Sequence, residues 1–326
     1  MGDGKLYLHI YVYGLIFLFM YNVVNGIFQA LGDSKTPLYL LIGSSIGNIV
    51  LDTVFVMNFH MGVAGVGWAT FIAQGVAAVV AFILLMRYIH KMQIHDKNQL
   101  FSMRMFEKIS VIAVPSICQQ SFVSVGNLFI QSVINGYGSS VIAGYNVGLK
   151  ISLFIITCSI SFGTGLSSYA AQNLGAGKID RVFDGYKATV KMIYTFIAPC
   201  ILISVFGADF LVHLFIGSSD TKAVSTAVLY LHIVSPFYLI LVIKFVCDNI
   251  LKAAGDMKAF MVTTFSDLII RVVLAYILPI FFGSTGIWCA WPLGWIIGSG
   301  FSYFFYKKKG WMKGWGYAPE KLTQVS

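Results

Sequence analysis

Apolar residues run along this chain in long stretches separated by short polar turns. Nine of these stretches reach the length of a membrane crossing, at 6–30, 38–58, 63–86, 109–135, 140–170, 188–216, 224–252, 259–281 and 285–306. A helix of about 20 mostly apolar residues spans the hydrocarbon core of a bilayer. A crossing segment of this kind is helical because each backbone amide must be satisfied within its own segment. Most of the runs exceed the minimum, which predicts tilted helices or ends that protrude into water. Pro115, Pro199, Pro236, Pro279 and Pro292 fall inside runs. A proline there frees a backbone carbonyl and bends the helix, so each marks a packing bend or a hinge. The pattern predicts an all-α polytopic membrane protein of nine transmembrane helices.

Composition agrees. Charged residues make up 11% of the chain and apolar residues 58%, whereas a soluble domain carries roughly 25% charged residues. A soluble enzyme is thereby excluded. The net charge of +9 does not form a basic stripe with interleaved aromatics, so nucleic acid is not an expected partner. The basic residues instead sit between apolar runs and alternate in side. One side collects Lys35; Arg87, Lys91, Lys97, Arg104 and Lys108; Lys178, Arg181, Lys187 and Lys191; Lys252 and Lys258; and Lys307, Lys308, Lys309, Lys313 and Lys321, which is 17 of the 22 Lys plus Arg. The other side has Lys5 and Lys222. The positive-inside rule makes the richer side, with the C-terminus, cytoplasmic in a cell membrane; an odd number of crossings then turns the N-terminus outward. Cys118, Cys158, Cys200, Cys247 and Cys289 lie within apolar runs without CxxC spacing, which reads as buried free thiols. Residues 6–30 are too long for the apolar region of a signal peptide and lack a small-residue cleavage site.

The longest polar stretch, Arg87 to Lys108, separates three runs from six. It predicts a division into a partial N-terminal lobe at 1–88, a cytoplasmic linker at 89–108 and a C-terminal lobe with a basic tail at 109–326. Met92, Ile94, Leu100, Phe101, Met103 and Phe106 among its basic residues fit either an interfacial segment or a solvated loop. The chain also repeats itself. "GIFQALGDSKTPLYLLIGSSIGNIVLD" at 26–52 resembles "NILKAAGDMKAFMVTTFSDLIIRVVLA" at 249–275, aligning Gly32-Asp33 with Gly255-Asp256. Each copy ends one run at a Gly-Asp-x-Lys turn and starts another. Gly62 and Gly65 likewise match Gly283 and Gly286. Parallel repeats of this kind are a transporter signature. The second copy closes a six-run lobe, so symmetry predicts a twelve-helix protein lacking its first three helices.

Ionisable groups within a crossing are costly and are functional hypotheses by default. Asp248 follows Lys244 by four residues and Asp267 precedes Arg271 by four; residues at that spacing share a helix face, which predicts local ion pairs. Asp52 has no basic residue within helical reach, and Asn48 lies one turn before it. An unpaired carboxylate in low dielectric must take up a proton or hold a cation, and oxygen ligands suit a small hard ion such as Na⁺. Thr70, on the following run, lies at a similar depth, about 9–10 Å below the outer surface at 1.5 Å per residue. Asn48, Asp52 and Thr70 therefore form a candidate cation site, the competing account being an inert protonated Asp52 held by Asn48. Lys150 is a lone cation in the fifth run, set either to pair with Asp248 or Asp267 or to line a cavity. Gln119, Gln120, Ser121, Ser124 and Asn127 make the fourth run polar along part of its surface, which fits interhelical hydrogen bonding or the wall of a water-filled cavity equally. Lys150, Gln120 and Asn127 are the candidate substrate-cavity residues.

These segments carry a resemblance. "GIFQALGDSKTPLYLLIGSSIGNIVLDTVFVMNFHMGVAGVGWATFIAQG" (26–75) is similar to the fourth-to-sixth-helix region of the multidrug and toxic compound extrusion (MATE) family, of the DinF/NorM-like prokaryotic type. "PSICQQSFVSVGNLFIQ" (115–131) resembles its seventh helix, and "AGYNVGLKI" (143–151) with "AAQNLGAGKIDRV" (170–182) its eighth helix and the loop beyond. The resemblance implies two six-helix lobes around a central cleft and export of drugs or metabolites, small organic and often cationic, in antiport with Na⁺ or H⁺. It implies a monomer in the lipid bilayer with no cofactor beyond the coupling ion. It implies an N-lobe cation site built from an Asp on the first helix, an Asn and an Asp four apart on the fifth and a Thr on the sixth; Asn48, Asp52 and Thr70 match the last three. The acid that NorM-type members place on the seventh helix is not matched, Val123 falling near that position.

Other functions stay in view. A lipid-linked oligosaccharide flippase of the wider superfamily would need a strongly cationic cavity, for which Lys150, Lys244 and Arg271 are available. A non-transporting fragment is a further alternative. An intramembrane enzyme is not expected, since there is no HExxH or GxSxG motif and His213 and His232 stand alone in separate runs.

Overall fold

The computed structural model describes residues 2–92, 101–216 and 220–315, and the regular elements among them are helices. The chain divides into two compact units, Met1–Leu100 and Phe101–Ser326. Residues 93–100, which held part of the expected linker with Lys97, and the tail with Lys321 lie outside the described residues.

Unit 1 holds α1 (Gly2–Ala30), α2 (Lys35–Thr53) with a π-helical turn at Val54–Asn58, and α3 (Gly62–Lys91). The contact between α1 and α3 rests on small side chains. Gly65, Gly67, Ala69, Ala73, Ala77, Ala78 and Ala81 are the buried residues over most of α3, and such a face lets two membrane helices approach closely. A Cβ on Gly67 would already sit 3.3 Å from Ile10. Toward the other end larger residues take over: Val24, Phe28, Ala81 and Leu85 form a small core, with the Phe28 and Tyr88 rings edge to face at 5.9 Å. Pro37 is the sole buried residue of α2.

Unit 2 holds α4 (Met103–Asn135), α5 (Ser139–Gly175), α6 (Ile179–Phe206), α7 (Ala208–His213), α8 (Thr221–Val234), α9 (Tyr238–Ala253), α10 (Met257–Phe282) and α11 (Ser284–Lys307), with 3₁₀ turns at Ser235–Phe237 and Gly310–Trp315. Its core is aromatic: Tyr145 stacks on Trp288 at 5.3 Å, and Tyr230 meets both rings edge-on at 5.7 and 5.5 Å. The α9 helix runs through the middle, with Leu241, Val242, Val246, Cys247, Ile250 and Leu251 buried.

Eight helical segments are long and apolar enough to cross a membrane. They coincide with the first eight runs read from the sequence, and the ninth run coincides with α11. The largest corrections fall on two runs. The sixth run was expected at 188–216, but α6 starts at Ile179 and stops at Phe206, and the chain turns at Gly207 into α7. The basic residues Lys178, Arg181 and Lys187 read as a connection, yet Ile179 and Val182 are buried against the core, so the helix persists where one face is still covered. The fourth run likewise starts at Met103 rather than 109. Helices continue through Pro115, Pro199, Pro279 and Pro292; at Pro236 the crossing breaks into the 3₁₀ turn between α8 and α9.

The internal repeat holds at the level of single hydrogen bonds. In unit 1 the Gly32 and Asp33 amides donate to the Gln29 and Phe28 carbonyls at 3.1 and 2.9 Å; in unit 2 Gly255 and Asp256 donate to Lys252 and Leu251 at 3.1 and 3.0 Å. Gly32 has φ 84° and Gly255 φ 78°, the left-handed conformation that only glycine adopts at little cost. Asp33 then accepts from the Thr36 amide at 3.1 Å and Asp256 from Ala259 at 3.2 Å. At the opposite ends Gly62 and Gly283 have φ 55° and 58°. Asp33 lies outside the crossings, and the Thr36 hydroxyl bonded to it holds its carboxyl below the usual 3.8.

Candidate functional site

The three unit 1 residues sit on two adjacent helices. Asn48 and Asp52 are one turn apart on α2, and Thr70 is on α3; all three are half-buried. The Thr70 hydroxyl donates to the Val66 carbonyl at 3.0 Å. Its proton is thus committed to its own helix, and its lone pairs are left to accept. Asn48 Nδ2 donates to Thr70 Oγ1 at 3.5 Å, a long contact. With the amide nitrogen turned to Thr70, the Asn48 carbonyl oxygen is free to act as a ligand. Asp52 Oδ1 is buried with no hydrogen-bond partner among the described residues, and no Lys or Arg among them lies within 4.0 Å of its carboxylate. The site therefore offers three kinds of oxygen and no built-in positive charge.

Immediately after Asp52 the helix widens into the π turn at Val54–Asn58. The Phe59 amide reaches back to the Val54 carbonyl at 3.2 Å, and Met61 to Phe55 at 3.0 Å. Gly65 at the start of α3 packs onto this turn, where an added Cβ would lie 3.1 Å from Phe55 Cβ. Such turns recur at functional positions. Sequence reading missed this one because no residue in VFVMN marks it.

Unit 2 buries four charged residues among those described: Lys244, Asp248 and Arg271, each 6% exposed, and Asp267, 8% exposed. The expected Lys244–Asp248 pair is present, with Nζ donating to Oδ2 at 2.6 Å. Asp248 Oδ1 also accepts from the Thr263 and Ser302 hydroxyls at 2.9 and 2.6 Å. Lys150 pairs with neither Asp248 nor Asp267 among the described residues, which leaves the other reading, that it lines a cavity. The expected Asp267–Arg271 ion pair does not close to within 4.0 Å either. Instead the Arg271 guanidinium stacks on Trp291 with Cζ 4.3 Å from the ring centre; the indole face competes for the cation and also supplies packing area. Asp267 Oδ1 and Arg271 Nε are buried without a hydrogen-bond partner among the described residues.

The candidate cavity residues Lys150, Gln120 and Asn127 all lie on exposed faces. Gln120, Ser124 and Asn127 follow one another at helical spacing along α4, and Asn146, Lys150, Thr157, Ser161 and Thr164 do so along α5, all exposed. Lys150 makes no ion pair among the described residues. These stripes leave unit 2 with a polar outer face on membrane helices, which lipid would not favour. His213 lies 3.5 Å from the Asp209 carboxylate, and His232 bonds the Val205 carbonyl at 2.8 Å, so both have local partners.

The sequence model of the MatE family matches residues 2–54 and 115–277. The chain is 28% identical over 310 residues to the "Probable multidrug resistance protein YpnP" of Bacillus subtilis, covering 94% of this chain and 68% of that protein. It is 24% identical over 284 residues to the "Multidrug export protein MepA" of Staphylococcus haemolyticus, covering 86% of this chain and 62% of that protein, less than two thirds of its length. Among solved structures, a Pyrococcus furiosus transporter described as a MOP superfamily member with a binding pocket of reverse polarity superposes with a TM-score of 0.87 at 18% identity, covering 96% of this chain and 70% of that one. The Vibrio cholerae MATE transporter VcmN in its bent form superposes with a TM-score of 0.82 at 18% identity, covering 94% and 70%.

Proposed function

The chain belongs to the MatE family, and on that premise we propose that it is a multi-pass secondary efflux transporter, exporting small organic compounds in antiport with Na⁺ or H⁺ across the cell membrane. The coupling cation binds at Asp52, with the Asn48 carbonyl and the Thr70 hydroxyl as its neutral ligands. The relatives' names support export of drugs. One observation carries the coupling site: a carboxylate within a crossing whose buried Oδ1 has no hydrogen-bond partner among the described residues, one helical turn from an amide that reaches Thr70.

The physical logic is charge balance. A carboxylate in a crossing is stable when neutralised, and here the neutralising charge must come from solution. A cation drives a conformational change only by binding one state better than the other. Asn48 and Asp52 move as one rigid turn of α2, whereas Thr70 belongs to α3, so a shift between these helices makes or breaks the oxygen set. The exposed polar stripes of α4 and α5, with Gln120, Asn127 and Lys150, are the proposed substrate-facing surface. The strongly cationic cavity of a lipid-linked oligosaccharide flippase is disfavoured, because Lys244 is engaged by Asp248 and Arg271 by Trp291. The basic connections support a cytoplasmic C-terminus. The test is efflux of a fluorescent organic cation from membrane vesicles under an imposed Na⁺ or pH gradient. Gradient-driven efflux that is lost in Asp52→Asn supports the reading, and efflux indifferent to both gradients overturns it.

A further inference from the structure

The repeat makes a position-by-position comparison of the two units possible, and the candidate cation site falls inside it. In the aligned segments 26–52 and 249–275, Asn48 corresponds to Arg271, Asp52 to Ala275 and Ser44 to Asp267. In the segments anchored by Gly62 and Gly283, Thr70 corresponds to Trp291. The contact is kept while the chemistry is exchanged. Asn48 reaches Thr70 across α2 and α3, and Arg271 reaches Trp291 across α10 and α11. The acid is kept too but moves along the helix face, from one turn after the central residue to one turn before it.

The charges then balance differently. Among the described residues, unit 1 has one acid and no base at this place. Unit 2 has one acid and one base there, and its four buried charges, Lys244, Asp248, Asp267 and Arg271, sum to zero. The helices close tightly around Asp267 and the base of the Arg271 side chain. An added Cβ on Gly294 would lie 2.8 Å from Asp267 Oδ1 and 3.1 Å from Arg271 Cβ, and one on Gly298 would lie 2.8 Å from Asp267 Cβ and 3.1 Å from Lys244 Cε. An indole face is a good seat for a weakly hydrated planar cation.

We propose that unit 2 carries the second copy of the cation site, occupied permanently by its own side chain: the Arg271 guanidinium stands where unit 1 takes a mobile cation, seated on Trp291 and beside Asp267. The unit 2 copy is thereby a fixed structural element, and ion coupling is left to unit 1 alone. The comparison rests on reading Asn48, Asp52 and Thr70 as a cation site, but the occupancy of the unit 2 copy can be tested separately from transport.

The experiment is thermal unfolding of the purified full chain in detergent, with guanidinium chloride added at low millimolar, non-denaturing concentrations and urea and NaCl as matched controls. Arg271→Ala is expected to melt about 5–10 °C below wild type, since breaking a buried charged contact is costly. Guanidinium should restore at least half of the loss with saturation, and urea should not; the wild-type melt should not respond. Equal restoration by NaCl marks a general effect of salt and overturns the proposal. An Arg271→Ala variant that melts with wild type, or one that guanidinium does not restore, overturns the proposal. Should the alanine variant fail to fold, Arg271→Lys is compared with Arg271→Met: the lysine variant should melt higher, and equal melting overturns the proposal. The guanidinium response should persist in an Asp52→Asn background, so failure of the unit 1 reading and failure of this one give different results.

Discussion

Replacing Asp248 by alanine removes a carboxylate that serves three donors at once: Lys244 Nζ at 2.6 Å, the Thr263 hydroxyl at 2.9 Å and the Ser302 hydroxyl at 2.6 Å. Lys244 is left 6% exposed with no acid in contact. Breaking a buried pair by deleting one partner costs about 3–5 kcal/mol, which for a unit of this size is a fall in melting temperature of about 6–20 °C. The assay is thermal unfolding of the purified chain in detergent. The double variant Lys244→Met with Asp248→Leu leaves no buried charge and should recover most of the loss. It should not recover all of it. Thr263 has one hydroxyl proton and turns it to the Phe260 carbonyl, 2.8 Å away, but Ser302 loses its acceptor, at about 1–3 kcal/mol. A single variant melting within about 2 °C of wild type, against the fall expected from a buried unpaired charge, would refute the reasoning, as would a double variant less stable than the single one.

Gly286→Ala should destabilise by about 3 kcal/mol, at the top of the overpacking range, because its Cβ would lie 2.5 Å from the Leu278 carbonyl carbon and 2.7 Å from Pro279 N; its counterpart Gly65→Ala, whose nearest neighbour is a side-chain carbon at 3.0 Å, should cost less in the same melt. Asp33→Ala should lower stability by about 1 kcal/mol through loss of the turn and cap bonds. The folded carboxyl titrates below its ordinary 3.8, so this contribution is fully present above about pH 4 and fades as pH falls through the folded value; melts across that range should show the variant and wild type converging in acid. Thr70→Val should weaken the apparent cation affinity by about tenfold, the equivalent of one lost ligand contact of 1.4 kcal/mol, while Thr70→Ser should retain it in the same gradient-driven efflux assay.

Much of the helical layout was legible because a bilayer imposes one length and one polarity on every crossing. The repeat was legible as well, since Gly-Asp-x-Lys demands the same turn wherever it occurs, and the same hydrogen bonds appear at Gly32 and Gly255. Helix ends were less so: α6 extends to Ile179 because its apolar face stays covered beyond the polar residues that had marked a connection. The Lys244–Asp248 pair followed from spacing alone. Arg271 did not, because its choice between Asp267 and Trp291 depends on a helix packed across from it, and spacing along one helix carries no record of that. The π turn after Asp52 is a property of backbone packing against Gly65, and nothing in its five side chains announces it.

The central claim is that Asp52 takes its countercharge from solution. Its most direct test is gradient-driven efflux by Asp52→Asn, an isosteric change that removes the charge and keeps the shape, measured beside a thermal melt to establish that the protein is folded. The account predicts a wild-type melt and efflux that no longer responds to an imposed Na⁺ or proton gradient. A folded Asp52→Asn protein that still pumps in response to the gradient would contradict it.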